Sequence, residues 1–154
     1  MSFHHLLKDA CAQLGITANA LSDGIIEYKL QLRDGSLLTV EKLDGVDALC
    51  LSSLVCFMPG GQDLLALYEL LLEAQAFGLL TDGASFTASR TNGKIILYRH
   101  LDLDGLDGIR LASAIKRFTA VHKVWKDAYD SGRLMSLANT AGNARTVPTA
   151  ISFA

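Results

Sequence analysis

The stretch "LDLDGLDGIRL", Leu101 to Leu111, sets three aspartates and two glycines within Asp102–Gly108. Carboxylates at that density point first to calcium. An EF-hand loop needs oxygen ligands at positions 1, 3 and 5, glycine at 6 and a bidentate glutamate at 12. Counting from Asp102 puts Asp104 at position 3, but Leu106 at 5, Asp107 at 6 and Ser113 at 12. Leucine cannot coordinate, and serine supplies no bidentate carboxylate. Counting from Asp104 places Leu106 at position 3, which is worse. The stretch therefore reads as a strand end, a turn and a helix start. Asp104 or Asp107 would accept hydrogen bonds from the helix's first N–H groups.

Other reactive side chains are equally short of partners. His4 and His5 are adjacent, so on a helix they point about 100° apart and make a poor chelate. His100 precedes the aspartate-rich turn alone, and His122 lies on an apolar stripe, where a hydrogen-bonded core role is the plainer reading. Glu69 and Glu73 share a helix face at i, i+4, which suits acid–base or metal chemistry but equally a solvated edge. Cys11, Cys50 and Cys56 are odd in number, lack C-x-x-C spacing and sit among apolar neighbours, so they read as buried free thiols. No nucleophile elbow, P-loop, dinucleotide fingerprint or H-E-x-x-H is present. The expectation is a binding protein, not an enzyme, with no catalytic residue, metal or cofactor.

The elements that would carry a binding surface can be placed. At 154 residues, half of them hydrophobic, the chain has the size and the core of one domain. No uninterrupted apolar run reaches transmembrane length, and Lys8 and Asp9 break the N-terminal apolar stretch too early for a signal peptide. These features predict a cytoplasmic protein. Charge divides unevenly, net −5 over residues 1–98 and +3 over 99–154. Yet the basic residues of the last helix lack an exposed aromatic platform, so nucleic acid is not expected.

Phe3, Leu6, Leu7, Ala10 and Leu14 recur at helical spacing up to Gly15. After the turn Ser22-Asp23-Gly24, Ile26, Tyr28, Leu30 and Leu32 alternate with polar residues as a half-buried strand. Asp34-Gly35 turns the chain into "SLLTVEKL", and Asp44-Gly45 into the more apolar strand "DALCLSSLVCF". Residues 62–78, "QDLLALYELLLEAQAFG", form a helix apolar on more than one face. One sheet cannot cover Leu64, Leu65, Leu67, Tyr68, Leu71, Leu72 and Phe77 together, so a second subunit is the expected cover and these residues the expected dimer interface. A hairpin over 83–101 follows, then a helix with Leu111, Ile115, Phe118, His122, Trp125 and Tyr129 on one stripe. From Ser131 the residues are small and polar without a period, which predicts a flexible tail over 131–154 after a single domain over 1–130. The order is helix, three strands, helix, two strands, helix: an α+β fold with helices packed on an antiparallel twisted sheet.

That order, with "LLEAQ" at 71–75, the turn Thr81-Asp82-Gly83-Ala84, the hairpin and the late Trp125, resembles the class I type III secretion chaperones, the Tir-chaperone-like family. Gln75 stands where the family favours asparagine, and Asp82 where it favours glycine. The resemblance implies a homodimer that holds the N-terminal part of a secreted effector in extended form, without ATP, and delivers it to the secretion apparatus. It also implies an apolar groove between the first helix and the sheet, lined by Phe3, Leu6, Leu7, Ala10, Leu14, Tyr28, Leu30 and Leu32. The same residues could instead bind the helix to its own sheet. The second reading is a YbjN-like interaction or regulatory module outside secretion.

Overall fold

The computed structural model describes residues 2–16, 24–32 and 35–144. Ser22, Asp23 and Asp34 of the two expected turns, and residues 145–154, lie outside the described residues.

Helix α1 (Phe3–Leu14) starts where the Ser2 hydroxyl accepts the His5 N–H at 3.3 Å. It stops at Gly15, which takes the left-handed conformation (φ +64°) that a side chain would oppose. Strands β1 (Glu27–Gln31), β2 (Leu37–Lys42) and β3 (Ala48–Phe57) follow, then helix α2 (Gln62–Gln75) and a single 3-10 turn over Ala76–Gly78. Strands β4 (Ser85–Ser89) and β5 (Lys94–Asp102) precede helix α3 (Gly108–Asp130).

The five strands make one antiparallel sheet in the order β1-β2-β3-β5-β4. Period-two alternation puts Tyr28, Leu30, Leu38, Val40, Leu49, Leu51 and Leu97 on one buried face. The other face carries the more open row Lys29, Thr39, Ser52, Tyr98 and Ser85. Helix α3 seals the core with Leu111, Ile115 and Phe118, and α1 crosses its first turn. The crossing is close at Gly108, where a Cβ would stand 2.5 Å from the Asp9 Cβ.

The sequence reading is corrected at its C-terminal end. Where a loose tail is expected from Ser131, residues Arg133–Ala144 form a further helix, α4, whose Leu134 and Ala138 are buried. Helix α4 packs chiefly against α2 and also meets α3. Its apolar residues, Leu134, Leu137 and Ala138, do hold helical spacing, but small polar neighbours mask the stripe. Part of the cover that α2 demands thus comes from its own chain.

Candidate binding surfaces

The aspartate-rich turn serves the backbone. The Asp107 Oδ1 accepts the Arg110 N–H at 2.7 Å and caps α3, while the Asp102 Oδ1 accepts the Asp104 N–H at 2.9 Å. The Arg110 guanidinium donates to the Gly105 carbonyl at 2.6 Å. Among the described residues, no group of three or more His, Cys, Asp or Glu side chains could hold a metal ion.

His122 is buried in the core stripe and its Nε2–H donates to the Leu54 carbonyl at 2.7 Å. Because a carbonyl only accepts, the proton sits on Nε2, and Nδ1 is enclosed without a partner. One helical turn pair later, the Tyr129 hydroxyl donates to the Phe57 carbonyl at 3.2 Å. Both side chains tie α3 to the bulged end of β3, whose register shifts between Leu54 and Cys56. Cys11 and Cys56 are buried and Cys50 is half-buried. Burial raises all three thiols, Cys56 to about 11, with the Glu41 charge adding at Cys50, so none is poised as a thiolate at neutral pH. His5 shares a 2.7 Å hydrogen bond with the Ser2 hydroxyl, and His100 lies against Tyr98 with ring centres 5.2 Å apart.

The expected groove divides in two. Leu6, Leu7, Ala10, Tyr28 and Leu30 are buried within the protomer, with at most 7% of any of them exposed. They belong to the common core, into which α1 packs chiefly against α3. Phe3, Leu14 and Leu32 are half-buried and keep a face to solvent; the Phe3 ring leans on Tyr28 with centres 5.6 Å apart. Ile26, which opens the alternating run, and Ile25 just before it are also exposed, and neither was among the expected groove residues. The neighbouring β1 is an outer strand of the sheet.

The leucines of α2 divide likewise. Leu67 and Leu71 are buried in the protomer core, Leu64 and Tyr68 are half-buried, and Leu65, Leu72 and Phe77 face outward. Leu79 and Leu80 extend that outward surface. An apolar pair directly after a helix-ending glycine was the available sign of them. Here the two departures from the family pattern acquire roles. The Gln75 Oε1 accepts the Phe86 N–H at 2.7 Å, joining the end of α2 to β4. The Asp82 carboxylate binds the Arg117 guanidinium through two hydrogen bonds, and Arg99 donates to the Asp82 carbonyl at 2.9 Å. Arg117 lowers the Asp82 carboxyl below the usual range first by hydrogen bonding and then by charge.

An antiparallel sheet with helices on its apolar face, an outer strand at each side and apolar surface beside both outer strands defines a protein-binding module. The profile of the Tir chaperone protein (CesT) family matches residues 5–126, and the chain belongs to that family. Among solved structures, the HopA1–SchA chaperone–effector complex contains a chain 18% identical, with TM-score 0.60 over 80% of this chain and 91% of that one. The Yersinia pestis type III secretion chaperone SycH, solved with a fragment of YscM2, is similar at 14% identity and TM-score 0.59, covering 80% and 99%. A chain of the heterodimeric ExoU–SpcU complex from the type III secretion system of Pseudomonas aeruginosa reaches 22% identity and TM-score 0.57, covering 83% and 93%. No curated protein sequence matches significantly.

Proposed function

We infer that this chain is a type III secretion chaperone. It binds the N-terminal region of a secreted effector in extended form in the bacterial cytosol, as a homodimer, and hands it to the secretion apparatus without ATP. The observation that carries the reading is the family match over residues 5–126, on a fold shared with a chain of a chaperone–effector complex and with the type III secretion chaperone SycH. It favours secretion over a YbjN-like regulator.

The client surface is the outer edge of β1 with Phe3, Leu14 and Leu32 and the neighbouring Ile25 and Ile26. An extended client loses much conformational entropy on binding. It recovers that by adding backbone hydrogen bonds to a free strand edge and by burying alternate apolar side chains. Charged substitutions at half-open positions, Leu32→Asp and Ile26→Asp, test the surface. The bound effector is first identified by pull-down from the native bacterium. Each variant should keep its circular dichroism and lose about tenfold or more in affinity, the scale of a truncated binding anchor. Unchanged affinity in both folded variants places the client elsewhere, and recovery of no secreted protein defeats the chaperone reading.

A further inference from the structure

Asn92-Gly93 is the one asparagine–glycine pair in the sequence, and it lies in the turn between β4 and β5. The turn is tight. The Asn92 N–H donates to the Ser89 carbonyl at 3.2 Å, and Gly93 takes φ +61° to bring the chain back into β5. Three strands meet at this end of the sheet. Lys94 pairs with Ser89 on one side and with Phe57 on the other, and the Met58 N–H donates to the Gly93 carbonyl at 2.8 Å.

Two groups in this turn are chemically matched and unengaged. Asn92 is exposed, and its side-chain amide has no hydrogen-bond partner among the described residues. The Gly93 N–H has none either. A Cβ on Gly93 would meet nothing within 4 Å, so the space beside that nitrogen is open. Arg90 and Lys94 flank the pair, and their positive charge favours the anionic form of the amide between them. Asp82 and Asp107 also precede glycines, but their carboxylates are held by Arg117 and by the Arg110 N–H. A carboxylate is moreover a far poorer electrophile than an amide.

We propose that Asn92 is a self-modification site, where the chain deamidates through Gly93 and the β4–β5 turn loosens as the protein ages. The Gly93 N–H gives its proton to hydroxide, and the nitrogen attacks the side-chain carbonyl carbon of Asn92. A new C–N bond closes a five-membered imide. The bond from that carbon to Nδ2 breaks, and ammonia leaves with a proton taken from water. Water then opens the ring at one of its two carbonyls. One opening gives aspartate. The other gives isoaspartate, in which the main chain runs through the side-chain carbons and is longer by a methylene. Water is the only co-reactant. The lengthened turn no longer fits the Ser89–Lys94 closure or the Gly93 contact with Met58. Because β4 is an outer strand, fraying there uncovers unpaired backbone groups. The inference is independent of the chaperone reading.

The test incubates the full chain in mildly alkaline and mildly acidic buffer and maps its peptides by mass. The peptide containing Asn92 should gain a single mass unit, faster in the alkaline buffer in step with hydroxide. Part of the product should accept a methyl group from S-adenosylmethionine through an isoaspartyl methyltransferase. Asn92→Gln forces a six-membered ring, and Gly93→Ala crowds the attacking nitrogen, so both variants should lose most of the gain. Alanine is strained at φ +61°, so circular dichroism first checks that variant. Should it unfold, Asn92→Gln at its exposed position carries the comparison by itself. An unreacted Asn92, or one that outlasts the other asparagines, overturns the site. Hydrogen exchange at the Met58 N–H reads the turn. It should be faster in the isoaspartate form, and equal protection in both forms overturns the loosening.

Discussion

The side-chain carbonyl of Gln75 accepts the backbone N–H of Phe86 at 2.7 Å. One long polar side chain at the end of α2 thereby occupies a donor on the outer edge of β4. It fixes where α2 ends relative to the sheet and removes part of that edge from strand addition. Replacing Gln75 by leucine keeps the bulk and removes the acceptor. The Phe86 N–H would then be left partly buried and unpaired, at a cost of about 1–3 kcal/mol. Urea unfolding followed by circular dichroism measures it, and a loss below the fitting error would show that water replaces the amide fully.

Gly108 sets the approach of α1 to α3. An added methyl group would stand 2.5 Å from the Asp9 Cβ, inside any tolerable contact, so Gly108→Ala must push the helices apart. The expected loss is about 1–3 kcal/mol, typical of overpacking. Gly60→Ala is the control. A Cβ there meets nothing within 4 Å, and stability should change little.

Asp82 makes a pH-dependent contribution. Its folded carboxyl is lowered, chiefly by hydrogen bonding to Arg117, so its contribution is present above the unfolded value of about 4 and is lost as pH falls through the folded value. Both partners are substantially open to solvent, which keeps the pair's contribution small and makes it sensitive to salt. Asp82→Asn retains a residue tolerant of φ +50° while removing the charge. Wild type should be the more stable at pH 7, with the difference shrinking below about pH 4. A difference that is constant with pH would deny the ion pair its role.

Helix α4 belongs to the core it covers. Leu134 is 2% exposed, so Leu134→Ala should cost about 2–5 kcal/mol by lost burial and the cavity left behind. Thermal unfolding checks this. A change of only a few tenths of a kcal/mol would mean that α4 rests on α2 without contributing to the fold.

The sequence by itself determined the elements through residue 130. Alternation at 26–32, the leucine spacing of α2 and the 4-3-4-3-4 stripe of α3 are local patterns, and each element must bury its own apolar face. Gly15 and Asp107 likewise mark helix ends by short-range chemistry. The family was legible for the same reason, since it rests on the order of those elements. Partnership was not local. Leu6 and Phe3 share one helix, as do Leu67 and Leu65, yet the first of each pair is sealed in the core and the second remains open to different degrees. Which stripe faces inward depends on α3, α4 and the strand order, set by contacts far apart in the chain. That β5, not β4, joins β3 likewise follows from long-range pairing, and it leaves β4 at the edge beside Gln75. Periodicity shows that a face is apolar; only the packed tertiary structure decides what covers it, because burial is a property of neighbours in space.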